Sequence, residues 1–369
     1  MVRFALADKS AADAPNGWYS SLSPGSPPAV GRSGCAAVED DQIRGDLATV
    51  QLGTPPRGFH LLVDSGSADI WVGGENCQAD EGGGCGDHKF LGEKSSSSFR
   101  DTGKPWGISY GTGYVSGNMV MDHVAFAGLT LQNHTFGVAS NESAQFTPDN
   151  IPLDGILGCA KSPLSIQQTP TLVEALRSAG LIASNIISYK ISRESDGKND
   201  GEITMGAMDP SKFVASSLVR VKNVNTGGFW EANLDAVTVN GEDVGLVNRS
   251  CIWDTGTTLL VAPKEDVDAI HSAIPGAKFD TSSNAWTVPC DTDASVSLVF
   301  GGKFFSIRPS DLAFLPVDPN NTMGACTSAI AEGVSEGPTE WLVGDTMIKN
   351  VYLSTNEDTD EISIARLTD

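Results

Sequence analysis

The sequence predicts an all-β chain folded as two related lobes, with a few short helices and a functional cleft where the lobes meet. Three observations lead there. Short stretches rich in Val, Ile, Thr and aromatic residues alternate with Gly, Asn and Asp punctuation, as in 119–138 and 232–247. The unit Asp64-Ser65-Gly66-Ser67 has a counterpart in the other half, Asp254-Thr255-Gly256-Thr257, and apolar runs lead into and out of both. That reads as strand, tight turn, strand, with Gly permitting a backbone path that a Cβ would oppose. An apolar-apolar-Gly unit then follows each at nearly the same distance, Ile156-Leu157-Gly158 and Leu342-Val343-Gly344. A single Asp-Ser-Gly is ordinary turn chemistry. Two copies in matching frames, each followed by the same second unit, imply a duplicated lobe.

The chain has 369 residues, more than one domain usually holds, which agrees with two lobes. Acidic residues outnumber basic ones by 46 to 24, a net charge of −22. This disfavours nucleic acid and anionic membranes as partners, since both select positive surface. It suits either high solubility or work at low pH, where protonation relieves self-repulsion. No apolar run reaches the roughly 20 residues of a membrane-spanning helix.

Taken in order, the chain opens on an ambiguous segment. Residues 1–6 carry a few apolar side chains, but Asp8 and Lys9 end the run well short of a signal peptide's apolar region. Residues 16–34 are Gly, Ser and Pro, so 1–45 is expected to be a flexible extension or a remnant of processing, with regular structure from about Asp46. The first lobe is expected over 46–206 and the second over 207–369. The Ser95–Ser98 tract reads as exposed loop. Residues 171–181 read as a helix, with Leu172, Val173 and Leu176 near helical spacing and Gly180 as the stop. Residues 264–274, after Pro263, carry Val267, Ile270 and Ile274 on one helical face. Asn240-Gly241 between apolar runs predicts a hairpin.

Cysteines stand at 35, 77, 85, 159, 251, 290 and 326, an odd count of 7 that leaves at least one thiol unpaired within a monomer. Cys77 and Cys85 bracket Gly82-Gly83-Gly84, and Cys290 and Cys326 flank a predicted hairpin; buried reduced cysteines are the alternative, which Cys159 fits well. Neither pair has metal-ligand spacing and no His cluster accompanies them, so no metal and no cofactor is implied. Asn-X-Ser/Thr sequons begin at Asn133, Asn141, Asn248 and Asn320, and they permit glycosylation if the chain enters the secretory route.

Matched lobes would bring the two Asp turns face to face at the seam, and clefts between lobes are favoured ligand sites. Two carboxylates held close cannot both ionise comfortably, so the pair shares a proton. A water between them can lose a proton to the ionised member while the protonated one polarises a carbonyl, which describes water attack on an amide without a covalent intermediate. Competing schemes find less support. The 5 histidines show no triad context. A glycosidase also uses two carboxylates, but nothing in one requires the duplicated Asp-hydroxyl-Gly frame.

Val63-Asp64-Ser65-Gly66-Ser67-Ala68-Asp69-Ile70-Trp71-Val72 and Asp254-Thr255-Gly256-Thr257-Thr258-Leu259-Leu260 resemble the two active-site signatures of the pepsin-like aspartic proteases. Gly53-Thr54-Pro55, Tyr110-Gly111-Thr112-Gly113, Asp154-Gly155-Ile156-Leu157-Gly158 and Val343-Gly344-Asp345 are similar to further motifs of that family, so the resemblance runs from about Asp46 to the C-terminus. It implies a pepsin-like fold with the cleft between lobes and Asp64 and Asp254 as the catalytic dyad. It implies that Ser65 and Thr255 interlock the two turns while Ser67 and Thr257 bond the outer carboxylate oxygens. Tyr110 would be the flap tyrosine, with Trp71 as its partner, and Gly66, Gly111, Thr112, Gly256 and Thr257 match positions that bind substrate backbone. One disulfide in each lobe, Cys77–Cys85 and Cys290–Cys326, comes from the same resemblance.

The sequence departs from the family in places. Ser65 stands where Thr is commoner, Trp253 replaces a smaller aliphatic residue, and Cys159 and Cys251 fill positions that are usually not cysteine. The first 45 residues do not resemble the family's basic pro-segment. The expected protein is a secreted or vacuolar/lysosomal acid endopeptidase that cleaves proteins or peptides between apolar residues. It is expected as a monomer, with Cys35 the candidate for an intermolecular bond. The alternative is a catalytically inert pepsin-fold binding or inhibitor protein, although such relatives are expected to lose an Asp, a Gly or the Tyr, all intact here.

Overall fold

The duplication is present strand by strand. In the first half, strand Arg57–Asp64 runs parallel to Gly155–Gly158, which lies antiparallel to Ile70–Ala79. In the second half, Arg249–Trp253 runs parallel to Glu340–Val343, which lies antiparallel to Leu260–Ala262. Each Asp turn is thus the loop that leaves one outer strand and enters the other, with the apolar-apolar-Gly strand between them. A Cβ on Gly158 would stand 2.4 Å from Asp69 N, and one on Gly344 would stand 2.0 Å from the Thr257 carbonyl oxygen. Only glycine lets the central strand end so close to the turn.

The computed structural model describes residues 34–41, 45–111, 113–149, 151–193, 200–333 and 337–368, and over them the protein has the all-β, two-lobed pepsin-like fold with short helices. Among the described residues one 13-stranded sheet runs through both halves: the C-terminal strands Val351–Asn356 and Glu361–Arg366 extend it beyond Ile186–Lys190. Smaller sheets of 5, 4 and 4 strands complete the second half.

Local chemistry explains the helices. Helix Leu172–Ser178 starts on Thr171, whose side chain caps Glu174 N while Glu174 returns a bond to Thr171 N. Leu172, Val173 and Leu176 are its buried face, and Gly180 at φ +70 ends it. Helix Lys264–Ala273 buries Val267 and Ile270. The hairpin between Ala236–Val239 and Glu242–Asp243 turns on Asn240 and Gly241, at φ +53 and +86.

Two expectations need correction. Regular structure is already present at Gly34, ahead of Asp46: Gly34–Asp41 is a strand between Gly201–Met205 and Gly45–Leu52. Its Ala-Ala-Val stretch follows the Ser/Pro-rich segment and has strand composition, so the extension expected over 1–45 does not hold for its last part. Residues 1–33 lie outside the described residues. So does the side chain of Cys35, whose backbone faces Thr204 in that strand. The Ser95–Ser98 tract is only partly exposed. Ser96 is buried, its hydroxyl accepting from Thr54 N at 2.9 Å, and Ser98 donates to Asp122 Oδ1 at 2.5 Å.

Both disulfides are present, Cys77–Cys85 and Cys290–Cys326, while Cys159 and Cys251 are buried thiols. Trp253, the unusually large residue before the second Asp, is fully buried against Phe300 at 5.3 Å between ring centres.

Candidate active site

Two tight turns meet at the seam and hold each other. Ser65 N donates to Thr255 Oγ1 and Thr255 N donates to Ser65 Oγ, both at 3.0 Å. Each hydroxyl then donates across the seam to the carbonyl before the opposite Asp: Ser65 Oγ to Trp253 O at 2.9 Å, Thr255 Oγ1 to Val63 O at 2.6 Å. All four groups are buried, where an unmade hydrogen bond costs most. Thr255→Val keeps the shape but leaves Ser65 N–H buried without an acceptor, and is expected to lower stability by about 1–3 kcal/mol. Urea unfolding checks this; a variant as stable as the parent would mean that something else holds the turns.

The interlock fixes the two carboxylates. Asp64 Oδ1 accepts from Gly66 N at 2.8 Å and Asp254 Oδ1 from Gly256 N at 2.9 Å. The outer oxygens accept from hydroxyls, Asp64 Oδ2 from Ser67 and Asp254 Oδ2 from Thr257, the latter at 2.6 Å. A Cβ on Gly66 would lie 2.5 Å from Asp254 Oδ1, and one on Gly256 would lie 2.5 Å from Asp64 Oδ1. Each glycine therefore makes room for the opposite carboxylate. Both acids are nearly enclosed, 6% and 8% exposed. Burial first, and then the neighbouring Asp254 charge, hold the Asp64 carboxyl well above the usual carboxylate range. The pair is built to retain a proton.

Tyr110 stands at the end of the hairpin formed by Arg100–Ser109 and Tyr114–Phe126, its N–H bonded to Gly113 O at 2.7 Å. Trp71 Nε1 donates to the Tyr110 hydroxyl at 2.8 Å, which also lies beside the Ser67 hydroxyl. Burial, followed by the Asp64 charge, pushes the phenol well above its ordinary value, so it stays a neutral O–H. Gly111 is exposed at the hairpin tip, and Thr112 lies outside the described residues.

Other groups at the site carry no signal in sequence spacing. Phe146 meets Trp71 edge-on at 5.5 Å and Tyr110 at 5.8 Å, a ring that supports both. Asp69, within the first signature, turns away from the dyad. Its carboxylate accepts from Ser165 Oγ at 2.5 Å and Ile166 N at 2.8 Å, anchoring the loop that follows Gly158. Cys159 sits directly behind the dyad, its N–H donating to Asp64 O at 2.7 Å, and burial pushes its thiol up to about 12.

Residues 47–367 match the family model described as "Eukaryotic aspartyl protease". A probable aspartic-type endopeptidase CTSD of Arthroderma benhamiae is 37% identical over 319 residues, 86% of this chain and 60% of that protein. The corresponding protein of Arthroderma otae is 38% identical over 305 residues, covering 82% of this chain and 77% of its own. Aspartic-type endopeptidase ctsD of Aspergillus fumigatus is 35% identical over 319 residues, 86% of this chain and 65% of that one. The chain thus spans under two thirds of the length of several relatives. With the interlocked Asp turns in place and a family match across both lobes, this chain belongs to the eukaryotic aspartyl protease family.

Proposed function

We propose that the chain is an aspartic endopeptidase that hydrolyses peptide bonds in proteins or peptides at acidic pH, with Asp64 and Asp254 as its catalytic pair. The observation that carries this reading is the mutual enclosure of the two carboxylates, each with its inner oxygen on a glycine N–H and its outer oxygen on a hydroxyl. Water bound between the acids loses a proton to the ionised member as its oxygen bonds to the scissile carbonyl carbon. The proton on the other acid moves to the carbonyl oxygen, giving a tetrahedral diol. Protonation of the amide nitrogen then lets the C–N bond break, and no covalent enzyme intermediate forms.

The remaining residues fit supporting roles. Tyr110 and Gly111 cover the bound chain from the hairpin, while Gly66, Gly256 and Thr257 offer backbone and hydroxyl groups to it. Trp71, Phe146, Ile108, Leu153 and Ile156 form one apolar cluster with Tyr110 against it, which supports a preference for apolar side chains beside the cleaved bond. Two disulfides support folding in an oxidising compartment, on the secretory or vacuolar/lysosomal route. Among the described residues no helix is long and apolar enough to cross a membrane, and the working unit is proposed to be a monomer.

Acid-denatured globin at low pH, with and without a hydroxyl-bearing transition-state mimic, is the test. Fragments that the mimic suppresses are the expected result. Intact globin, in the presence of tight mimic binding, would instead identify an inert binding protein with the same fold.

A further inference from the structure

Several strongly exposed apolar side chains of the second lobe, Met323 and Val247 foremost, stand beside two sequons. Met323 is 71% exposed, Val317 52% and Leu315 42%, and all three belong to one hairpin tip that also carries Asn320-Asn321-Thr322. Val317 N donates to Ala325 O at 2.9 Å and closes the loop, inside which Asn321 N bonds Asp318 O and Gly324 N bonds Asn321 O. Asn320 is therefore held in a closed loop, exposed, with Val317 and Met323 flanking it along the chain. The strand leading in, Ala313–Pro316, is the last strand of its sheet, its outer edge unpaired among the described residues. An exposed edge with apolar side chains is a site for chain-to-chain pairing unless something covers it.

The second sequon repeats the pattern on a smaller scale. Val247, 65% exposed, directly precedes Asn248-Arg249-Ser250. Asn248 is exposed at φ +58, and Arg249 Nη1 fixes the Val247 carbonyl at 2.8 Å. The other two sequons differ. Asn141 lies within the paired strand Leu129–Glu142, facing Gln78 on one side and Ser116 on the other, and the Ser143 hydroxyl of its sequon already accepts from Tyr114 N. Asn133 is exposed, but His134 and Leu131 beside it are buried, so no apolar surface there needs cover.

From this we infer that Asn320 and Asn248 carry N-linked glycans that cover the apolar surface around them, the loop at Asn320 above all. The inference rests on the secretory-route reading given above. In the transfer, the Asn amide nitrogen bonds to the anomeric carbon of a polyprenyl-pyrophosphate-linked oligosaccharide. The C1–O bond to the pyrophosphate breaks, the lipid pyrophosphate leaves with the electron pair, and the amide nitrogen gives up a proton. A hydrated, mobile glycan on the loop leaves the folded backbone untouched while blocking approach to Leu315, Val317 and Met323.

The test expresses the full chain through a eukaryotic secretory pathway and maps peptides before and after enzymatic removal of N-glycans. Occupancy at Asn320 and Asn248 is the expected result, and Asn320→Gln and Thr322→Ala should each lose the same mobility step. Both variants should keep proteolytic activity yet self-associate at lower protein concentration, by light scattering. Adding Val317→Ser and Met323→Ser should restore the monomer without restoring the glycan. Closed disulfides with Asn320 and Asn248 unmodified would overturn the inference while leaving the compartment reading intact. Unmodified sequons with open disulfides would overturn both. Unchanged self-association in Asn320→Gln would remove the covering role.

Discussion

Asp64→Asn and Asp254→Asn are each expected to lower peptide hydrolysis by about three orders of magnitude or more, and the double variant is expected to be little worse than either. Asn neither takes the water's proton nor carries the charge that keeps one proton on the pair, so losing either acid stops the same step. In the parent, the rate should follow a bell against pH whose limits belong to the coupled pair. The rising limb comes from ionising the first carboxyl; the falling limb has two contributors. Burial, and for Glu357 also the Glu174 charge, push Glu142 and Glu357 up from 4.5 to about 8. The folded state therefore binds more protons than the unfolded one across that window, and stability drains as pH rises through it. Burial pushes His134 and His271 down from 6.5 to about 4, so these two cost stability as pH falls through their window. The two effects oppose each other between 4.5 and 6.5; above 6.5 the acids act alone and stability declines. Rate and thermal stability must consequently be followed together on all four proteins. Full hydrolysis in either single variant would remove the dyad, and a rate that falls while the fold persists would place the high limb on the pair.

Much of this site is legible in the sequence because duplication writes it twice. The interlock of Ser65 with Thr255 needs only the knowledge that two similar turns face each other, and Gly66 and Gly256 are then required by the crowding of the carboxylates. What escapes the sequence depends on partners far along the chain with no repeat to announce them. Phe146 supports Trp71 and Tyr110 from a turn of no particular composition. Asp69 reads as part of the signature, yet its partners Ser165 and Ile166 lie 96 and 97 residues away. The sheet shared by both halves escapes for the same reason. Nothing local to Val351–Asn356 says that it will pair with Ile186–Lys190 rather than with strands of its own lobe. The first strand escapes because Gly, Ser and Pro run up to Gly34 and its own short Ala-Ala-Val stretch ends in three acids.

Tyr110→Ala is expected to lower turnover by roughly a hundredfold, in the range seen for loss of one oriented hydrogen-bonding group at a reacting centre. The hydroxyl receives the Trp71 N–H and lies beside the Ser67 hydroxyl that donates to Asp64, so it closes a chain of bonds running from the hairpin to the dyad. The ring meets Phe146 edge-on and ties the hairpin to the apolar cluster around Trp71. These two contributions separate. Tyr110→Phe keeps the ring but leaves Trp71 Nε1 without its acceptor, at a cost of about 1–3 kcal/mol in stability. It should retain more activity than Tyr110→Ala, with the loss in kcat rather than KM. Tyr110 is only half-buried, so neither change should unfold the chain. A stopped-flow comparison of the three proteins on one apolar peptide, alongside their melting curves, decides the matter. An Ala variant that turns over like the parent would show that the hairpin plays no part in closure, and one that fails to fold would make Tyr110 a core residue instead.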